Sequence, residues 1–103
     1  MIIAVDFDST LSLGVRYPEI GEPNIPLFKW LIDKQAHGDT IVLWTCRGYD
    51  SHLQEAVDFC KSYGLTFDAV NQNPQQITFD SRKIVADMYI DDNAYPPDVY
   101  KYK

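Results

Sequence analysis

At 103 residues, 46% hydrophobic and 14% aromatic, the chain has the length for one domain with its own core and is too apolar to be disordered. Its net charge of -6 argues against a nucleic-acid-binding surface, although carboxylates that hold a metal would count toward that total without repelling anything once occupied. The two cysteines, Cys46 and Cys60, fit no zinc spacing and no disulfide framework, and both are expected to be buried free thiols.

The chain opens on a short apolar run containing Ile2, Ile3 and Val5, which predicts a buried parallel strand. It is far too short for a signal peptide or a membrane span, so a cytoplasmic protein that makes no use of a membrane is expected. The run delivers Asp6 and Asp8, one residue apart, at the carboxyl end of the strand, where open α/β sheets bind their ligands. Residues 11–24 carry Gly14, Gly21, Pro18 and Pro23 without a helical period, which predicts an irregular loop or small hairpin lying over those acids. Asn24 is placed to cap a helix that tolerates Pro26 in its first turn, buries Leu27, Trp30 and Leu31, and ends at Gly38.

Residues 40–44 predict a second buried strand, and Thr45, Cys46 and Arg47 follow it as the next polar strand end. Ser51 and Gln54 have capping-box spacing, ahead of a helix with Leu53, Ala56, Val57 and Cys60 on one face and Gly64 at its close. Residues 67–70 predict a brief third strand, residues 71–79 a polar connection, and Asp80 or Ser81 the cap of a short helix running to Ala86. Met88, Tyr89 and Ile90 predict a last strand that again ends in acids, Asp91 and Asp92. Trp30 and Trp44 are both expected in the core, and His37 and His52 on the surface. The tail from Asn93 carries no functional signal.

Strands alternating with helices give a βαβ architecture with right-handed crossovers and a mainly parallel sheet of about four strands. Two parallel strands ending in acids would bring Asp6, Asp8, Asp91 and Asp92 to one place. Four such groups cannot all ionise unaided, because like charges and desolvation both raise a carboxyl pKa. A hard divalent cation answers this, and Mg2+ suits a site with few carboxylates that keeps water for a phosphate.

Asp6-Phe7-Asp8-Ser9-Thr10 after a strand, Thr45 after a second, Lys83, and Asp91-Asp92 after a late one resemble, in order, the four motifs of the haloacid dehalogenase-like (HAD) hydrolase superfamily. The similarity runs from Ile2 to Asn93. Arg16-Tyr17-Pro18, Ile20-Gly21-Glu22-Pro23, Leu43-Trp44-Thr45 and Ala69-Val70-Asn71 resemble in particular a small capless group of bacterial and phage proteins usually left as uncharacterised hydrolases. Ser9 departs from the pattern, which more often has glycine there. The resemblance implies a Rossmann-like three-layer sandwich, one capless domain over residues 1–103, and an Mg2+-dependent phosphatase.

It also implies roles. Asp6 would be the nucleophile that becomes an aspartyl-phosphate, and Asp8 the general acid and base. Asp91 and Asp92, with Asp6 and Asp8, would hold Mg2+. Thr45 and the neighbouring Cys46 amide would meet a phosphate oxygen, and Lys83, rather than Arg82, would be the cation beside the nucleophile. Arg47 is a weaker candidate for the substrate phosphate, set against an ion-paired or solvated arginine.

Without a cap, only residues 11–24 and 71–79 can cover the site, so it is expected to be open. An open site suits a phosphate on a bulky or macromolecular substrate, nucleic acid entering only as such a substrate, or else a lid from a second copy in a homo-oligomer. A phosphotransferase shares the same intermediate, and a non-catalytic binding or regulatory protein is the other alternative. A receiver-like domain would need its acceptor Asp where this chain has Thr45, and a metal-dependent nuclease has no use for the Asp-x-Asp-x-Thr loop.

Overall fold

The computed structural model describes residues 1–48 and 51–96. In chain order the elements are β1 (Ile2–Val5), β2 (Ser12–Leu13), β3 (Glu22–Pro23), α1 (Ile25–Ala36), β4 (Thr40–Leu43), α2 (Ser51–Ser62), β5 (Ala69–Val70) and β6 (Met88–Ile90). Four of the strands form a parallel sheet in the order β5-β4-β1-β6, and β2 and β3 pair antiparallel as a separate hairpin. In register, Ile3 stands opposite Ile41 and Met88, and Val5 opposite Leu43 and Ile90. This is the α/β, mainly parallel architecture that the sequence predicts.

Handedness distributes the layers. The steps from β1 to β4 and from β4 to β5 run in the same direction, so right-handed crossovers place α1 and α2 on one face of the sheet. Ile3, Val5, Ile41, Leu43 and Ile90 meet Leu27, Phe28, Trp30 and Leu31 of α1, and Leu53, Ala56 and Cys60 of α2, in one buried cluster. The return from β5 to β6 runs the other way and so crosses the second face, where Ala4, Val42 and Ala69 pack with Ile84, and with Ala86 and Tyr89 at the margin.

That second cover is not helical. Between residues 71 and 87 the chain is irregular, which corrects the helix expected to run to Ala86. The Ser81 hydroxyl accepts from Lys83 N (3.1 Å) and donates to its carbonyl (2.9 Å), while Asn73 accepts from Val85 N (2.7 Å) and donates to Lys83 O (3.1 Å). Side chains thereby take the backbone groups that a helix would need.

Both expected caps are also corrected. Asn24 sits at the start of α1 without a side-chain cap bond, and its amide donates instead to Thr10 O (2.9 Å) and to the Tyr95 hydroxyl (3.3 Å). Gln54 reaches forward to Asp58 (2.9 Å) and makes no bond back to Ser51 among the described residues. In the hairpin, a Cβ on Gly21 would lie 2.0 Å from Leu13 O, so only glycine lets β2 and β3 approach there. Among the described residues, no helix is long and apolar enough to cross a membrane.

Candidate active site

Three strand ends are stitched together by the backbone. Trp44 N donates to Val5 O (2.8 Å) and Asp6 N to Ile90 O (2.9 Å), so the residues following β4, β1 and β6 stand side by side at the carboxyl edge. They surround a cavity of about 270 Å³ lined by Asp6, Thr45, Cys46 and Asp91, with Trp44 and Tyr89 as its aromatic wall. A larger cavity of about 480 Å³ lies elsewhere, between Thr40, Asp68 and the Gln/Asn-rich stretch after β5. It holds none of the residues expected to carry chemistry.

Asp6 is half-buried and its carboxyl pKa is raised above the ordinary value, chiefly by burial; a hydrogen bond from the Phe7 backbone amide opposes this, and the charges of Asp8, Asp92 and Asp91 add smaller upward pushes. The other three predicted acids therefore all act on Asp6. Asp91 accepts from Asn93 N through Oδ1 (2.9 Å), and the exposed Asp92 is close to the Asn93 amide (3.4 Å). As they are placed, no three His, Cys, Asp or Glu side chains among the described residues stand close enough to hold a metal ion by themselves. The donor chemistry still fits Mg2+, a hard cation that takes one or two carboxylates and keeps several waters. Asp6 with Asp91 in the cavity is the pair that would hold it.

Asp8 has a different environment. Arg47 donates to it through Nε (3.0 Å to Oδ2) and Nη2 (2.8 Å to Oδ1), a two-pronged pair that leaves the Asp8 side chain 27% exposed. The guanidinium, itself fully buried, also donates to the carbonyls of His52 (3.0 Å) and Glu19 (3.1 Å) and lies between the rings of Phe7 (4.8 Å) and Tyr17 (5.1 Å). This corrects the placing of Arg47 on a substrate phosphate: its donors are committed inside the protein, and it positions Asp8. Residues 11–24 accordingly cover the Asp8–Arg47 pair and contribute nothing to the lining of the Asp6 cavity.

Thr45 lines the cavity, but its own amide donates to Asn71 Oδ1 (2.8 Å) and its hydroxyl accepts from Arg47 N (3.2 Å). Asn71 holds this turn from a left-handed backbone, φ 53°, which asparagine tolerates well. In the sequence Asn71 stands only in the Ala69-Val70-Asn71 segment of the resemblance, with no role attached to it. Lys83 is exposed and outside the cavity lining; its Nζ lies 5.4 Å over the Tyr89 ring, so one aromatic side chain separates it from the site.

Cys60 is buried as expected, with its thiol pKa pushed up to about 12 by burial, whereas Cys46 is exposed at the cavity, which corrects its expected burial; both are free thiols. Trp30 is in the core as expected, but Trp44 is 45% exposed, which corrects its placing there. Ser9, where the resemblance calls for glycine, has φ 63°, the region glycine occupies without cost.

No protein-family model matches the chain, and no curated protein matches it. A solved structure of a conserved protein from Bacteroides thetaiotaomicron is similar to it, at 36% sequence identity and a TM-score of 0.82, over 99% of this chain and 86% of that one.

Proposed function

We propose that this chain, which belongs to the same family as the conserved Bacteroides thetaiotaomicron protein, is a phosphomonoester hydrolase that works through an aspartyl-phosphate on Asp6 with Mg2+ as its cofactor. The observation that carries the reading is Asp6 itself: a half-buried carboxylate at a parallel strand end, beside a cavity, among three further acids and with no cationic partner among the described residues. Groups of perturbed pKa cluster at functional sites, and one that sits beside a cavity is a candidate for chemistry. The ordered motif resemblance to HAD hydrolases supports the same reading.

An Asp6 oxygen attacks phosphorus, the bond from phosphorus to the ester oxygen breaks, and the departing alcohol takes a proton. Asp8 supplies that proton and then receives one from the water that hydrolyses the acyl phosphate. The Arg47 fork uses one lone pair on each Asp8 oxygen and leaves a second on each for this exchange. Thr45 turns its hydroxyl proton to a phosphate oxygen, and the Cys46 amide beside it is a second donor. Mg2+, held by Asp6 and Asp91 with Asp92 nearby, would screen the repulsion between an anionic nucleophile and an anionic substrate. Lys83 would join the site only by swinging past Tyr89.

Hydrolysis of a generic aryl phosphate, measured with and without Mg2+ beside the Asp6→Asn variant, tests the reading. Turnover that needs the ion and vanishes in the variant is expected. Activity that survives Asp6→Asn would remove the covalent route, and a folded, metal-binding protein that hydrolyses no phosphate ester would sink the enzymatic reading.

A further inference from the structure

We infer that the site takes a small phosphate monoester carrying a single flat aromatic ring, which lies against the Trp44 indole while the phosphate meets Asp6; the inference rests on the phosphatase reading and assigns its substrate class. A large indole immediately after a central strand would ordinarily be buried, yet Trp44 is 45% exposed and forms part of the cavity wall beside Asp6 and Asp91.

Its ring is braced by a neighbour in the same wall. Tyr89 packs against it with ring centroids 5.7 Å apart and planes at 59°. Tyr89 is itself fixed, because its hydroxyl donates to Ile84 O (2.6 Å) and accepts from Ala86 N (3.2 Å). A rigid, half-open aromatic surface loses little freedom when a ring settles on it, which is what makes such surfaces effective in recognition.

Charge and size narrow the occupant. Among the described residues, the cavity wall carries no lysine or arginine, and its charged members, Asp6 and Asp91, repel a phosphate until an ion intervenes. Affinity must then come from the rest of the ester, and Trp44 with Ile90 and Tyr89 offers apolar surface for it. At about 270 Å³ the cavity is just below the usual range for small-molecule sites, enough for a phosphate and one ring.

The test uses the 103-residue chain with Mg2+ and two non-hydrolysable probes of equal charge and similar size, benzylphosphonate and cyclohexylmethylphosphonate, titrated calorimetrically. The flat ring is expected to bind about tenfold more tightly, the preference disappearing in Trp44→Ala and largely kept in Trp44→Phe. Melting curves verify that both variants fold. Equal affinities, a preference that survives Trp44→Ala, or no binding of either probe overturns the inference. Hydrolysis of benzyl phosphate and cyclohexylmethyl phosphate, run in parallel, separates the two claims. Ring-dependent binding without turnover leaves the aromatic contact at Trp44 standing and sinks the phosphatase reading on which the substrate assignment rests, whereas turnover of both esters at equal KM does the reverse.

Discussion

Asp6 and Asp8 are separated by one residue and have opposite environments. Asp6 faces a cavity among other acids, and its carboxyl holds its proton more tightly than an ordinary aspartate. Asp8 is met by both prongs of a buried guanidinium, beneath the loop of residues 11–24. Phe7 between them is fully buried and stacks on that same guanidinium. The difference shows how one strand end can set up two environments: side chains on either side of Phe7 diverge, so one carboxylate is left without a cationic partner at the cavity and the other is held in place by one.

The comparison can be broken most severely at Asp6. Asp6→Asn is expected to reduce turnover by about four orders of magnitude or more while the domain stays folded, read by phosphate release and a melting curve. A loss caused by unfolding would put Asp6 on the structural side.

Arg47→Met tests the other half. It strands Asp8 and the carbonyls of Glu19 and His52, and removes the stack on Phe7 and Tyr17. Breaking such a pair is expected to cost about 3 kcal/mol, with Asp8's partial exposure tempering the upper end of that class, which lowers Tm by roughly 15 °C. A variant that melts like wild type would show that the fork does not hold the loop.

Mg2+ sharpens the contrast on a smaller scale. At tenfold its dissociation constant it should add about 1.4 kcal/mol to stability, and the shift should be lost in Asp6→Asn. No shift at millimolar Mg2+ would count against a metal at this site.

In metal-free protein the sign at Asp6 runs the other way from a paired acid. Because its folded-state pKa is raised, the native state binds the proton more tightly than the unfolded chain, so stability falls as pH rises from the ordinary Asp value through the raised one. Asp6→Asn should therefore be no more stable than wild type in acid and more stable above that window. Paired denaturation curves across pH decide it, and a gain largest in acid would contradict the assignment.

The smallest expected effect is at Ser9. Ser9→Gly relieves a left-handed backbone but loosens the unfolded chain, for a net gain of about 0.5 kcal/mol, visible as a rise in Tm of a few degrees. A fall in Tm would mean that the Ser9 side chain contributes more than its backbone strain costs.

Much of this was legible before the structure. β1, β4 and β6 follow from apolar runs, α1 and α2 from their helical spacing, and the convergence of acids from parallel strands ending together. The helix expected before β6 fails to form for a local reason with a distant component, since Ser81 competes from nearby but Asn73 does so from ten residues away at Lys83. Trp44 was misread because an indole beside a strand is usually core, and nothing local says that a cavity opens beside it.

Arg47 is the clearest case of what sequence could not decide. Its position after β4 is compatible with a phosphate contact, and its donors are consumed by Asp8 and Glu19, which arrive from distant parts of the chain, together with the nearby His52 carbonyl. The sequence by itself determined where strands end and which acids stand at those ends, because both depend on periodicities a few residues long. The tertiary structure decided which acid is paired, which is left free and which indole is exposed, because hydrogen bonds and burial at these positions are made by residues far apart in the chain.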